Sequence, residues 1–523
     1  MEYDLVIIGF GISGMATARY AQKNNLKFIV LEKSDTFGGV WADAYDTTKL
    51  QTHKSYYQFS EYRPSDNMPD YPHKHNLLEY FNSYIEKFGL NKHVKFNTKV
   101  TETEFINTDN YWKITTHNAV FTTKYLAICS GYFCNKNVIA KISSNKNGKV
   151  NRKLIVGNGA SALDFLEHIK ETSGFNDTEY HMIYRRDKYY PNYLTRQLPI
   201  LLALNPISLK IFEKMPLILF KYLFSVFFTF NGRYPNEKIN YTNIIRNDFH
   251  YILENIRKLK LFKKSIVKVE ENNVFFSDGT DEYYDEIINK AGYQRKIDII
   301  SPPIDDINDS LGYNFALPQD TEKYPQCAFI GFAPSYNWIM VSEAQAKWFT
   351  HCIKKGSFPT KKETEIFIEK HTQNKSGKCF NDLTYKSFNF AKEFGITNEN
   401  IRNINNSALL IILIISMGIF LTLFSNRPII LTILFSLILY LYYKHLDEEK
   451  IEKGNILKVA LIFLIYGTLS ESLIIKTSGV LKYAEKVKLN IPFFNIRLNC
   501  PTFLPCIYLF WAFIVIHLYK IIN

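Results

Sequence analysis

No Cys-x-x-Cys pair occurs anywhere in the chain. The seven cysteines are scattered, and the closest pairs, Cys129 with Cys134 and Cys500 with Cys506, have no zinc-ligand partners beside them. This predicts no metal site and reduced thiols in a cytosol-facing protein. A basic stripe is also missing. The formal charge is +13, but lysines and arginines are spread along the sequence, and no nucleic-acid motif accompanies them. Nucleic acid is therefore excluded as a partner, and phosphate-bearing cofactors or a membrane surface account for the basic balance. No signal peptide is expected, because an apolar strand starts almost at Met1.

That first strand is the centre of the reading. Asp4-Leu5-Val6-Ile7-Ile8 runs into Gly9-Phe10-Gly11-Ile12-Ser13-Gly14, a Gly-x-Gly-x-x-Gly turn. Gly9 permits the tight turn, Gly11 admits a pyrophosphate close to the backbone, and Gly14 lets the following helix pack on the strand. A helix is expected over 15–24 and a second strand over 27–31. That strand ends in Glu32, where a carboxylate holds a ribose hydroxyl in this kind of fold, with Lys33 beside it. Phe37-Gly38-Gly39-Val40-Trp41 follows. Its glycines let the chain pass close to a flat ring system, which points to FAD rather than free NAD.

Residues 47–62 are polar and aromatic without periodicity and read as a loop lining something. Residues 76–89 have helical spacing, 94–105 and 111–123 alternate like antiparallel strands, and 125–130 is a further apolar strand. A second unit then begins. A strand over 153–156 enters Gly157-Asn158-Gly159-Ala160-Ser161-Ala162, with alanine at the third glycine position. A helix over 163–170 and a strand over 180–184 follow, and the strand ends in Arg185-Arg186. Two guanidinium groups there suit a 2′-phosphate and select NADPH over NADH. Gly157, Gly159, Ser161, Arg185 and Arg186 are the expected NADPH-lining residues; Gly9, Gly11, Gly14, Glu32, Lys33, Gly39 and Trp41 are the expected FAD-lining ones. With two such turns, the nicotinamide gives hydride to the flavin.

Residues 191–230 are unusually apolar and are punctuated by prolines. They read as a substrate-tunnel wall, a dip into the membrane interface or a buried helical insertion. Cys327 reads as a buried thiol opening the strand 328–331, and a helix is expected over 342–355. Four apolar runs, 407–425, 428–443, 456–475 and 503–522, then approach membrane-spanning length. The third contains Glu471, which needs a partner or a cavity in lipid.

The order of these features resembles the flavin-containing monooxygenases, over about residues 1–390. Leu50-Gln51-Thr52-His53-Lys54 with Tyr57-Gln58-Phe59-Ser60 is similar to the segment after Gly-Gly-x-Trp in the plant-like branch. Phe275-Phe276-Ser277-Asp278-Gly279-Thr280 resembles the strand and turn before the domain exit, and Phe329-Ile330-Gly331 with Glu343-Ala344-Gln345-Ala346-Lys347-Trp348 a late flavin-domain signature. Three departures stand out, one of them His53 at the position where part of the family, though not its plant-like branch, carries an Asn. The stretch 132–152 lacks the family's Phe-x-Gly-x-x-x-His segment, and the exit reads Lys290-Ala291-Gly292-Tyr293 in place of Ala-Thr-Gly-Tyr. The resemblance implies oxygenation of a soft nitrogen or sulfur nucleophile of a small molecule by O₂, through a flavin C4a-hydroperoxide. It also implies that Gln51, His53 and Asn337 lie near the reacting flavin edge, although His53 reads equally well as a loop histidine packing on Tyr56. A Baeyer–Villiger-type monooxygenase, and an NADPH oxidase or degenerate flavoprotein with structural FAD, are the alternatives.

The fold class expected is α/β, with two nested Rossmann-like dinucleotide-binding domains followed by an all-α transmembrane region. The FAD-binding domain takes 1–150 and 291–395. The NADPH-binding domain takes 151–290, with an apolar insertion at 190–250, and the membrane region takes 405–523. The flavin domains are expected on the cytosolic face of a membrane, with the endoplasmic reticulum one candidate.

Overall fold

The computed structural model describes residues 2–50, 54, 57–69, 71–133, 135–137, 152–172, 174–175, 178–185, 190–191, 228–229, 259–333, 338–372, 488–491 and 496–501. The chain divides into two compact units. The first comprises Met1–Ile200 and Leu209–Asn398, and the second Leu201–Ser208 and Glu399–Asn523.

The first unit is built outward from β1 (Tyr3–Ile8). Leu5, Val6, Ile7 and Ile8 are all buried, as an unbroken apolar run requires of a strand covered on both faces. Burying each such side chain contributes about 1.5–3 kcal/mol. Helix α1 (Ile12–Lys23) carries the chain to β2 (Phe28–Leu31), which pairs parallel to β1 with Leu5 opposite Phe28. Helix α2 (Lys74–Phe88) ends at Gly89, whose φ of 60° supplies the left-handed cap. The chain then adds β3 (Val94–Lys95), β4 (Val100–Ile106), β5 (Tyr111–Thr116) and β6 (Val120–Ile128).

The single strand expected over 111–123 is thus two strands. Thr116 and Ala119 close the turn between them, the Thr116 amide and hydroxyl both donating to the Ala119 carbonyl. His117 and Asn118 sit in that turn, and their polarity stops the run. The second half of β6 returns parallel to β1, with Leu5 opposite Tyr125.

The chain leaves this sheet through the two-residue β7 (Asn135–Lys136) and starts the second sheet. β8 (Arg152–Val156) leads through α3 (Ala160–Thr172) to β9 (Glu179–Ile183). Within the apolar insertion only β10 (Tyr190–Pro191) and β11 (Phe228–Thr229), paired antiparallel, are described. β12 (Leu259–Phe262) then joins β9 in parallel. A three-stranded meander follows, β13 (Ile266–Glu270), β14 (Asn273–Phe276) and β15 (Asp281–Tyr283). β16 (Glu286–Asn289) completes a parallel sheet ordered β12-β9-β8-β16. Ile155, Leu166, Met182 and Ile288 fill one face of it against α3, and Leu154, Ile183, Phe276 and Tyr284 the other.

The return path runs beside the exit path. β17 (Tyr293–Gln294) pairs antiparallel with β7. β18 (Ile300–Ser301) and β19 (Cys327–Phe329) rejoin the first sheet, β18 beside β4 and β19 beside the late half of β6. Cys327 is a buried free thiol, as expected. Helix α4 (Trp338–Lys355) packs on α1, and α5 (Lys361–Thr372) follows. Cα-level pairing therefore inserts the second sheet between two halves of the first, through one pair of neighbouring crossings.

In the second unit, β20 (Lys488–Ile491) and β21 (Ile496–Pro501) form an antiparallel hairpin. This corrects the expectation of an all-α C-terminal region. Leu489 and Ile491 alternate with Lys488 and Asn490, a period-two pattern that suits a strand. The four apolar runs lie outside the described residues. Among the described residues no helix is long and apolar enough to cross a membrane.

Candidate functional site

The first glycine turn stands at the carboxyl end of β1, and its geometry follows from what the absent side chains would strike. A Cβ on Gly14 would lie 1.9 Å from the Gly9 carbonyl oxygen, and one on Gly9 (φ 98°) would lie 2.7 Å from the Cys129 carbonyl oxygen. Helix and strand can meet this closely only over glycine. Gly11 approaches Gly39 of the second glycine pair, where a Cβ on Gly39 would come within 3.2 Å of the Gly11 Cα. The Gly38 N–H donates to the Phe10 carbonyl at 3.2 Å and fixes the two turns together.

Helix α1 starts with no side-chain cap and no acid in its first turn. Its leading N–H groups and positive dipole end are therefore left for an anion. Glu32 is buried at the tip of β2. Its Oε2 accepts from the Phe10 N–H at 2.6 Å and its Oε1 from the Ser34 N–H at 2.9 Å. A carboxylate oxygen has two acceptor positions, so each keeps one for a hydroxyl. Lys33 is exposed next to it. Trp41 is half-buried, and its indole N–H donates to the Tyr57 hydroxyl at 2.8 Å. This cradle of bare backbone, unpaired helix N–H groups and a terminal carboxylate fits a dinucleotide.

The second turn repeats the arrangement at the end of β8. Gly157 has φ 111°, and a Cβ there would lie 2.3 Å from the Lys290 carbonyl oxygen. Gly159 faces open space, and Ser161 lies in the first turn of α3, which carries no acid. Arg185 is exposed just past β9, at the same edge of the sheet. Arg186 lies outside the described residues, as do Gln51, His53 and Asn337.

The loop that carries Gln51 and His53 is nevertheless pinned at both ends. At its entry the Leu50 N–H donates to the Pro72 carbonyl at 2.9 Å. At its exit Phe59 is buried and stacks on Tyr84 of α2, centroids 3.8 Å apart, and the Ser60 N–H and hydroxyl donate to Glu343 at 2.8 and 3.0 Å. Glu61 is held by Arg19 and Lys23, each at 2.7 Å. Glu343 itself sits in α4 and is buried. Burial pushes its carboxyl up to about 8, against the two Ser60 hydrogen bonds, which favour the charged form. It is held as a neutral acid near pH 7. Gln345, two residues on, accepts from the Gly331 N–H at 2.9 Å and donates to the Phe315 carbonyl at 2.8 Å.

Sequence reasoning did not single out a set of contacts between the stretch after Trp41 and the second sheet. Tyr45 stacks on His168 of α3 with centroids 4.6 Å apart and planes 19° from parallel. Lys49 pairs with Glu167 at 2.9 Å, and Lys290 donates to the Tyr45 hydroxyl at 2.9 Å. Lys290 is one of the two residues, with Ala291, by which the domain exit departs from the family pattern, and that departure was the available signal. Among the described residues no group of three or more metal-ligating side chains converges.

Residues 3–145 match the family model described as flavin-binding monooxygenase-like. Flavin-containing monooxygenase 5 of Oryctolagus cuniculus is 23% identical over 70% of this chain and 76% of its own length. Flavin-containing monooxygenase 1 of Homo sapiens is 24% identical over 68% and 74%. A probable flavin-containing monooxygenase 1 of Arabidopsis thaliana is 41% identical, but over only 20% of this chain and 19% of that protein. Among solved structures, cyclohexanone monooxygenase in a rotated conformation shares the fold with a TM-score of 0.55 at 16% identity, over 75% of this chain and 96% of that one. OTEMO in complex with FAD and NADP gives 0.54 at 16% identity, over 75% and 97%.

Proposed function

We propose that this flavin-dependent monooxygenase, with FAD and NADPH as its cofactors, oxygenates a soft nitrogen or sulfur nucleophile of a small molecule. The observation that carries the reading is the presence of two glycine turns, each opening a helix at the carboxyl end of a strand with parallel neighbours in its own sheet, within one compact unit. The chemistry the cofactor pair supplies when bound is two-electron reduction followed by activation of O₂, one oxygen atom going to substrate and the other leaving as water.

The chain's own contribution is binding and placement. The α1 N–H groups and the Gly11–Gly39 contact receive a pyrophosphate, and Glu32 accepts from a ribose hydroxyl. At the second turn Gly159 leaves room for phosphate and Arg185 meets a 2′-phosphate. No side-chain acid–base pair is needed on the substrate. The pinned loop carrying Gln51 and His53, and the stretch before α4 carrying Asn337, are the positions proposed to line the reacting edge and keep water out. Similarity of residues 50–60 to the plant-like branch supports placing the chain near that branch.

The test is anaerobic mixing of the detergent-solubilised protein with NADPH, then O₂, with amines, thioethers and ketones offered in turn. Bleaching of the flavin by NADPH and stoichiometric N- or S-oxide support the proposal. Esters or lactones from ketones would replace it with a Baeyer–Villiger activity. Peroxide equal to NADPH consumed with every substrate would leave an NADPH oxidase. A flavin that NADPH does not bleach would make the FAD structural.

We further propose that the four apolar runs of the C-terminal region anchor the protein in a membrane, with the two cofactor turns on the cytosolic side. Hydropathy supports the anchor, and the free buried thiols Cys129, Cys327 and Cys352 support a reducing compartment.

A further inference from the structure

The stretch that leaves the first cofactor cradle is tied to the start of α2, where the Lys74 N–H donates to the Thr48 carbonyl at 2.9 Å, and from there it also reaches the second sheet. Gly39–Trp41 forms a short 3-10 turn, and the chain then runs across to the second sheet over residues 45–49. Three contacts hold it there. Tyr45 lies flat on His168, with Phe165 6.3 Å away at a tilt. Lys49 pairs with Glu167, whose side chain is almost wholly buried. Lys290 reaches the Tyr45 hydroxyl, and its ammonium lies 5.1 Å from the Tyr45 ring centroid and 5.2 Å from that of Phe165.

Lys290 is the element that joins these contacts to the cofactor end of the second sheet. It follows β16 directly, at the carboxyl edge of that sheet, and its carbonyl oxygen occupies the space a Gly157 side chain would need. Its backbone therefore fixes the floor of the second glycine turn while its side chain grips a residue four positions beyond Trp41. The hydrogen bond to the phenol at the edge of the Tyr45 ring is worth about 0.5–1.5 kcal/mol, and the approach of the ammonium to the Phe165 ring adds about 0.5–1 kcal/mol. Shift one turn relative to the other and the lysine must release the tyrosine.

We infer that Lys290 and Tyr45 form a latch that sets the second glycine turn in register with the first, so that a nicotinamide carried by one meets a flavin carried by the other. Both are positioning residues. The inference rests on the cofactor assignment above and adds the device that aligns the two halves. Its energetic signature is geometric. Hydride transfer depends steeply on approach, so loosening the latch slows transfer without weakening the grip on NADPH.

The test uses the full-length protein in detergent with Lys290→Met, Tyr45→Phe, the double variant and Lys290→Arg. Rapid anaerobic mixing with NADPH reads the limiting rate of flavin bleaching and the apparent Kd separately. Each single variant is expected to lower the limiting rate about tenfold, the equivalent of ~1.4 kcal/mol, with Kd essentially unchanged. The double variant is expected to be no slower than the worse single one, because both remove the same contact. Lys290→Arg keeps a donor and a cation and is expected to recover most of the rate. Dithionite reduction should not change in any variant.

An unchanged limiting rate, strictly additive losses, or a loss confined to Kd would overturn the latch. If NADPH does not bleach even the wild-type flavin, the monooxygenase reading fails by itself. The latch is then decided by amide hydrogen exchange over 42–50 and 160–172. Faster exchange in Lys290→Met supports it, and exchange equal to wild type rejects it.

Discussion

Glu343 is a carboxyl group sealed between α4 and the exit of the loop that holds Gln51 and His53. Its folded pKa of about 8 lies well above the ordinary carboxylate range of the unfolded chain. In that interval the folded protein keeps a proton that the unfolded chain has lost. The group's contribution to stability is therefore complete below the unfolded value and drains away as pH rises toward 8. Comparing thermal midpoints of wild type and Glu343→Gln from pH 5 to 8.5 should show wild type losing several degrees relative to the variant. A constant difference across that range would mean the carboxyl is charged when folded. Arg185 is the second residue-scale test. It is exposed at the end of β9 and is the residue proposed to meet the phosphate that distinguishes NADPH from NADH. Arg185→Ala should lower kcat/KM for NADPH by about ten- to a hundredfold, the cost of a charge-assisted hydrogen bond or two, and leave that for NADH within a factor of two. Equal losses with both cofactors would move the 2′-phosphate elsewhere.

At the scale of elements, the packing of α1 on α4 depends on small residues. Gly331 has φ 81°, and a Cβ there would lie 2.0 Å from the Ser13 hydroxyl oxygen, which itself meets the Ser342 hydroxyl at 3.0 Å. Because Ser13 lies inside the first glycine turn, strain at Gly331 reaches the cradle proposed to hold the flavin. Gly331→Ala should destabilise the protein by more than the ~1 kcal/mol of an ordinary glycine replacement. Purified protein should also hold visibly less flavin, read as the ratio of flavin to protein absorbance. Full flavin occupancy with unchanged melting would show that α4 can move aside. The elements themselves were legible where periodicity was clean. The strand before Gly9, the amphipathic α2 and the strand before Gly157 follow from spacing alone. The turn at 117–119 escapes the pattern because Tyr111–Thr116 and the first half of Val120–Ile128 alternate in the same way on either side of it. The hairpin at 488–501 was missed because it sits between two apolar runs that dominate a longer window.

For the molecule as a whole, the second sheet is inserted into the first through β7 and β17, which pair side by side. Paired crossings let each sheet fold around its own core, while residues 45–49 contact α3 and Lys290 of the second. The apolar C-terminal runs add an expectation that concerns the full chain. After expression, the protein should stay in the membrane pellet through alkaline carbonate washing and enter solution only with detergent. Release by carbonate alone would remove the anchor and recast the runs as a buried domain.

The sequence by itself determined where helix and strand must meet over bare backbone, because glycine spacing after an apolar strand has few other uses. The order of its strands and glycine turns also foreshadowed a second sheet entered and left through neighbouring crossings. Only the tertiary structure decided which of those motifs touch. Gly11 meets Gly39, Glu343 closes on Ser60, and Lys290 reaches Tyr45, each across a sequence separation that no local pattern encodes. The physical reason is that periodicity reports which face of an element is buried. The partner that buries it is chosen by the packing of the whole chain.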